Sequence, residues 1–316
     1  MNGYIKAATH NGPFHADDVV AGAIIGLAFR WKVEFIRTRD PEVLATAEVV
    51  YDVGGVYDPE TCRFDHHQRG CDARWQRMNR LSSAGMLWSH YGLQLVRQEV
   101  GDMEEDAEVG EVWQEVYKTF IQFVDDLDNG GGPLTQGTLS DATFSSVIGD
   151  INCVGEATEA DHFAAYMHAV ELARGALLRR IRHAAHSVRQ RTAIRAHGSQ
   201  RLLVLDEAVD PVLVAESTRD TLLLVVPQYG QWMVICVPPS RGERFQQRLP
   251  LPEEWAGRRG PALAEVLARG PAKDAALADT TGATSFVHSG RFCGGMRTRE
   301  GAIDLAHQAL ADADWS

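Results

Sequence analysis

A short apolar strand pattern, YIKAATHNG (4–12), runs straight into a helix pattern, ADDVVAGAIIGLAFRW (16–31), and this junction constrains the fold most. Asp17 and Asp18 fall in the first turn of that helix, where carboxylates meet the positive end of the dipole. Two more strand patterns follow, KVEFIRT (32–38) and AEVVYDVGG (47–55). A strand, a helix and two further strands in that order predict an α/β domain with a mostly parallel sheet. Asp58-Pro59 marks a turn before a short strand that runs into Asp65.

The next segments read as helices. LSSAGMLWSHYGLQLV (81–96) has Ser82 or Ser83 as its N-cap. A second helix is expected over 104–127, with Val109, Val112, Val116, Phe120, Phe123 and Leu127 at helical spacing. DNGGGP (128–133) stops it. A long helix is expected over 158–197, with Phe163, Met167, Val170, Leu177 and Ile181 as its apolar face. Its later half is rich in arginine, from Arg174 to Arg195, which reads as a solvated face or as a contact surface for substrate or partner. Strand patterns return at 201–206, 220–227 and 232–238, with Tyr229-Gly230 as a hairpin turn. A strand at 284–290 and a helix over 296–313 follow the polar stretch 240–271. The expected organisation is an α/β domain over 1–155, a connecting helix over 156–198 and a smaller α/β domain over 199–316.

Apolar residues make up 45% and charged residues 23% of 316, ordinary for a globular chain. No apolar run reaches the roughly 18 residues of a membrane span, and the first ten residues lack signal-peptide order. Cytoplasm is the expected compartment, with no membrane partner. Five scattered cysteines without a CxxC pair argue against a disulfide framework and a thiolate zinc site. The net charge of −12 disfavours a broad duplex-DNA footprint but allows a short oligonucleotide or small phosphoester. A homodimer is compatible with the sequence.

Four of the twelve histidines lie before residue 70. THNGPFHADD offers His10, His15, Asp17 and Asp18; YDVGG offers Asp52; FDHH offers Asp65, His66 and His67; FVDDLDNG offers Asp125, Asp126 and Asp128. In a parallel α/β sheet, ligands gather at the carboxyl ends of strands, which is where His10, Asp52 and His66 are expected. Asp125 and Asp128, three apart, share one helix face. Singly, each has an ordinary structural reading as a turn, loop or helix-end residue. Jointly, imidazoles and carboxylates without thiolate suit Mn²⁺, Fe²⁺, Co²⁺ or Zn²⁺, and their number exceeds the needs of one ion.

The segments THNGPFHADD, YDVGGVYDPETCRFDHHQRG, LSSAG, DNG and FVHSGRFCGGMRTREGA together resemble the family of metal-dependent hydrolases named after the melanocyte proliferating gene, a branch of the DHH phosphoesterases. The resemblance implies a DHH-type domain, a smaller substrate-holding domain, and a centre of two Mn²⁺ ions, with Fe, Co, Zn or Mg as substitutes. It assigns His10, His15, Asp17, Asp52 and His66 as ligands, and Asp125 with Asp128 in reserve. His67 would face the phosphate and Asp65 would orient a histidine. Relatives carry Asp-Glu where this chain has Asp17-Asp18, so the second acid, Asp18, is a catalytic candidate with a shorter reach. SGRFCGGMRTRE reads as an anion pocket. Gly290, Gly294 and Gly295 would admit phosphate to the backbone, His288, Arg291, Arg297 and Arg299 would supply polar contacts, and the following helix would present its N-terminus. A plain glycine turn is the alternative. Arg69 is a weaker candidate for the same task.

The expected function is two-metal phosphodiester hydrolysis, concretely a 3′-to-5′ exonuclease on short single-stranded RNA or DNA. The alternatives are a hydrolase of pyrophosphate or a dinucleotide, and a non-catalytic metal-binding protein.

Overall fold

The computed structural model describes residues 3–76, 79–101, 103, 105–131, 143–269, 280 and 285–315. It is a mixed α/β protein that divides into two compact units, 1–188 and 189–316.

In the first unit, β1 (Ile5–Thr9), β2 (Val33–Arg37), β3 (Val49–Tyr51), β4 (Tyr57–Asp58) and β5 (Arg63–Phe64) form one sheet in the order β2-β1-β3-β5-β4. The first four in that order are mutually parallel, and β4 pairs antiparallel with β5. Helix α1 (Ala16–Ala28) has almost no polar face, and from Ala16 to Gly26 every residue is buried. A helix apolar all round belongs inside a core. Accordingly α1 packs against α3 (Ser83–Glu99), α5 (Gln122–Asp128) and α6 (Phe144–Gly149). Gly22 lets Tyr166, from the later helix Glu159–Ala196, come close to α1, because a Cβ there would lie 2.5 Å from the Tyr166 hydroxyl oxygen. That close fit offsets the roughly 1 kcal/mol a mid-helix glycine costs.

The helix expected over 104–127 is interrupted. Helix α4 (Asp106–Val116) and α5 are joined by a π-helical segment, Tyr117–Ile121. The wider turn shifts the buried face by one position. Val109, Val112, Val116 and Phe120 are buried as expected, but Val124 replaces Phe123, which is 41% exposed. A similar shift occurs in α7 (Glu159–Ala196): Tyr166 and Ala169 join Val170, Leu177 and Ile181 in the core, whereas Phe163 is exposed. Met167 packs partly buried against the same core, so Phe163 alone leaves the expected face.

In the second unit, β8 (Leu202–Val204), β9 (Leu223–Gln228), β10 (Gln231–Cys236), β11 (Phe286–Val287) and β12 (Cys293–Met296) form a sheet in the order β11-β12-β10-β9-β8. Only β8 and β9 are parallel. Residues alternate along β9: Leu223 and Val225 enter one cluster with Leu305 and Ala306, and Leu224 and Val226 enter another with Leu213 and Val214. Helices therefore cover both faces. Tyr229 and Gly230, with φ of 54° and 74°, make the two-residue hairpin turn that the sequence predicts. The helices α8 (Pro211–Ser217) and α9 (Gly260–Leu267) had no sequence expectation.

The glycine-rich segment is not a loop. Gly294 and Gly295 lie in β12, buried, with ladder partners on both β10 and β11. A Cβ on Gly294 would fall 3.0 Å from the Phe286 carbonyl oxygen, and one on Gly295 2.6 Å from Gln231 Oε1. Close packing therefore accounts for both glycines. His288, Gly290 and Arg291 form the turn before β12, and Arg297 and Arg299 follow it. At about 3.3 Å per strand residue, β12 separates the two groups by roughly 13 Å. The expected single anion pocket is thus divided between opposite ends of one strand. Arg299 also faces Asp206 at 3.4 Å and lies over the Trp232 ring.

Candidate metal centre

Four parallel strands end at the same sheet edge, and three of them deliver the polar residues of the cluster. His10 follows β1, Asp52 follows β3, and Asp65, His66 and His67 follow β5. Asp17 and Asp18 come from the first turn of α1, and Asp128 ends α5. Asp52 sits at φ 55°, in the left-handed region, which turns the chain sharply at the strand end. Aspartate tolerates that region better than most side chains.

Asp52 is the hub. Its Oδ2 lies 3.3 Å from His10 Nε2, and its Oδ1 lies 3.4 Å from His66 Nε2 and 3.6 Å from His67 Nδ1. Asp18 Oδ2 lies 3.4 Å from His10 Nε2. His66 Nε2 also faces Asp128 Oδ2 at 3.1 Å and Asp17 Oδ2 at 3.7 Å. Three overlapping or adjoining donor groups result: His10, Asp18 and Asp52; Asp52, His66 and His67; and His15, Asp17 and Asp128. These groups could hold a divalent metal ion.

The surroundings fix ligand orientation. The Asn11 carbonyl accepts from His10 Nδ1 at 3.0 Å, so that nitrogen carries the proton and Nε2 is left facing the carboxylates. Arg37 donates to the Gly12 carbonyl at 2.6 Å, and Asn152 makes paired 2.9 Å bonds with the backbone of Phe14. These bonds hold the loop that carries His15. Asp18 Oδ1 accepts from the His15 backbone N–H at 2.9 Å. Ser83 Oγ donates to Asp52 Oδ1 at 3.1 Å, a contact that the N-cap reading of LSSAG did not foresee.

The charge balance also fits a cation. Both oxygens of Asp17 and Oδ2 of Asp18 are buried without a hydrogen-bond partner. Native structures rarely leave buried polar atoms unpaired in such numbers unless an ion or water meets them. Burial and then the charges of Asp52, Asp128 and Asp18 push the Asp17 carboxyl well above its usual range. Burial also pushes Asp18 up to about 7, against the pull of His10. Asp128 is raised by burial as well. Burial would raise Asp52 too, but hydrogen bonds to His10 and His66 outweigh it and hold the group below the carboxylate range. Burial would lower His10 and His66, yet the Asp52 hydrogen bond and neighbouring carboxylates raise both. Three carboxyls that resist ionisation around one ionised hub is the arrangement a bound cation would relieve.

Asp125 does not belong to this group. It is fully buried, and its oxygens accept from the Ser82 N–H, the Ser82 hydroxyl, the Gly85 N–H and the Tyr117 hydroxyl. Asp125 ties α5 to the start of α3, and the helix-end role at the centre passes to Asp128. Asp18 is fully buried, 3.4 Å from His10, and lines neither of the two neighbouring cavities. Asp65 accepts from the His67 ring at 2.7 Å and from the Gly55 N–H at 2.6 Å; it orients His67. Arg69 is exposed and lines neither cavity, whereas its neighbour Gln68 lines one.

Two cavities adjoin the cluster and share His15 and His67. One, of about 540 Å³, is lined by His10, Asp52, Gly54, Gly55, Gln68 and Arg39, among others. The other, of about 470 Å³, has a more apolar wall that includes Phe14, Val124 and Leu127 beside Asp17, His66 and Asp128. Arg39 carries no motif in the sequence, where a single arginine after a strand is an ordinary surface residue.

Residues 6–310 match the family model MYG1_exonuc, described as "Uncharacterised protein family (UPF0160)". The chain belongs to this family. It is 32% identical to the human protein named MYG1 exonuclease, over 98% of this chain and 87% of that one. It is 30% identical to the Dictyostelium discoideum MYG1 protein, over 97% of this chain and 96% of the relative. A Chlamydia trachomatis MYG1 protein is 31% identical over 83% and 85% of the two chains. The MYG1 match takes in every residue of the cluster and runs through both units. Among the described residues, no helix of this MYG1 family member is long and apolar enough to cross a membrane.

Proposed function

We propose that this protein is a metal-dependent phosphodiesterase, a 3′-to-5′ exonuclease on short single-stranded RNA or DNA. The observation that carries the reading is the Asp52 carboxylate, whose two oxygens address His10 and His66 separately. That is the disposition of a carboxylate shared by two cations. The name of the human relative, an exonuclease, agrees with it.

His10, Asp18 and Asp52 would hold one ion, and the carboxylates that face His66, from Asp52, Asp17 and Asp128, would hold a second with it, with His15 and His67 at their margins. Imidazole and carboxylate donors without thiolate suit Mn²⁺, with Fe²⁺, Co²⁺ or Zn²⁺ as substitutes. Bound divalent cations supply the positive charge that stabilises a phosphodiester under attack. The chain's own residues do the rest. Asp65 holds the His67 ring through Nδ1, which leaves Nε2 to exchange a proton with substrate oxygens. The apolar wall of Phe14, Val124 and Leu127 suits a base or sugar better than a phosphate. In the second unit, Arg297 and Arg299 remain candidates for substrate contacts, and Arg297→Ala should raise KM.

A second reading rests on cavity size. Each cavity is of the size that holds a single small ligand, so pyrophosphate or a dinucleotide is also a reasonable substrate. The test compares an RNA 5-mer with pyrophosphate in Mn²⁺. Wild type should release mononucleotides from the 5-mer, and Asp52→Ala should lose both metal and activity while keeping its fold. Full turnover by Asp52→Ala at limiting Mn²⁺ would exclude this centre.

A further inference from the structure

The strand neighbouring β1 on its outer side, β2, also ends at the metal-centre edge, and the residue it delivers is a cation. Thr38 extends the β1–β2 ladder by donating its N–H to the Thr9 carbonyl at 2.7 Å, and Arg39 comes next. Arg39 is exposed and lines the larger cavity with His10 and Asp52. No carboxylate pairs with it among the described residues. Asp40, its neighbour, accepts from the Glu42 N–H as the cap of a short helix, α2 (Pro41–Leu44). The cavity lining also includes Gly54 and Gly55, both at positive φ, which bring no side chain into the space. Gln68 adds an amide. The permanent positive charge of this cavity is therefore a guanidinium in reach of solvent, beside a centre built for a phosphodiester.

We infer that Arg39 forms a second phosphate subsite, which binds the phosphate one nucleotide upstream of the bond that is cut. The inference rests on the proposed phosphodiesterase reading and adds the substrate class: a strand or dinucleotide with a phosphate beyond the scissile one. A guanidinium suits the role because its planar donors can grip two phosphate oxygens at once. Positioning through that remote phosphate would aid selection of strands over isolated diesters.

The experiment is a cycle between protein and substrate. Wild type, Arg39→Ala and Arg39→Lys are loaded with Mn²⁺ and titrated with ApA and 5′-phosphorylated pApA, each with a phosphorothioate linkage, to read binding. The unmodified dinucleotides are used for kinetics. Wild type should bind pApA at least tenfold tighter than ApA. Arg39→Ala should bind both alike, losing the preference for pApA while still holding Mn²⁺. Arg39→Lys should recover part of the preference. If Arg39→Ala keeps the wild-type preference, or loses ApA and pApA binding equally, the subsite is overturned. A wild type that binds pApA preferentially yet cuts neither dinucleotide nor longer strands would keep the subsite and refute the phosphodiesterase reading.

Discussion

Asp128 Oδ2 lies 3.1 Å from His66 Nε2, so the last turn of α5 reaches the end of β5. A carboxylate at a helix C-terminus meets the negative end of the dipole, an unfavourable place without a cation beside it. Asp125, three residues earlier, spends its oxygens on buried donors of α3 and Tyr117. The two acids should therefore fail in different ways. Asp128→Ala should lose metal, read by elemental analysis, with little change in the melting temperature of the metal-free protein. Asp125→Ala should cost about 3 kcal/mol or more, because several buried donors lose their acceptor. Denaturant titration of both metal-free variants checks this, and equal stability of the two would refute the assignment.

Gly85 explains why Asp125 faces α3 at all. A Cβ at that position would lie 2.6 Å from Asp125 Oδ1, inside any tolerable contact. Gly85→Ala should therefore destabilise the fold by roughly 1–3 kcal/mol through overpacking, even though alanine is the better helix former. A variant as stable as wild type in urea would show that the Asp125 tie is not formed.

Ser83 makes a separable prediction. Its hydroxyl holds Asp52 Oδ1, and loss of such a supporting bond lowers metal affinity about 10- to 100-fold. Ser83→Ala should show that loss in a Mn²⁺ titration, while excess metal restores activity. Unchanged affinity would mean that the backbone alone orients Asp52.

The edge that gathers His10, Asp52 and His66 was legible because each ends an apolar run, and parallel strands align such ends. The choice between Asp125 and Asp128 was not legible. Helical spacing puts both on one face, and only the packing of Gly85 decides which of them is absorbed by α3. The glycines of β12 misled for a related reason. A glycine that admits a ligand and a glycine that admits a neighbouring side chain look the same in sequence; Gly295 proves to face Gln231 and Phe286. Phe123 was misplaced because the π-helical segment before it resets the period, and no residue pattern in 117–121 announces that turn.

The carboxyl cluster fixes a pH dependence. Asp18 has a folded value of about 7, raised by burial above its ordinary 3.8. Between those values the unfolded chain releases a proton that the folded chain keeps. Stability from this group is therefore full below about pH 4, falls as pH rises toward 7, and stays lower above it. Metal binding has the opposite sign, since ligands must shed protons. In metal-free protein, Asp18→Asn should remove part of the decline in stability between pH 4 and 7 seen for wild type. Parallel curves for the two proteins across that window would show that Asp18 ionises freely.

Asp65 and His67 should act as one unit. Asp65 Oδ1 accepts from the His67 ring at 2.7 Å and from its backbone N–H at 3.1 Å, so it sets both tautomer and ring orientation. Its other oxygen holds the Gly55 N–H, a purely local bond. If His67 exchanges a proton in the reaction, His67→Ala should lower kcat by about 10²- to 10⁴-fold. Asp65→Asn should lower it by about 10- to 100-fold, with metal content unchanged. Groups that act through one another are not additive. The double variant should therefore be no slower than His67→Ala alone. If Asp65→Asn costs the same factor with and without the imidazole, then Asp65 acts through Gly55 and the cavity wall, and the orienting role given to it is wrong.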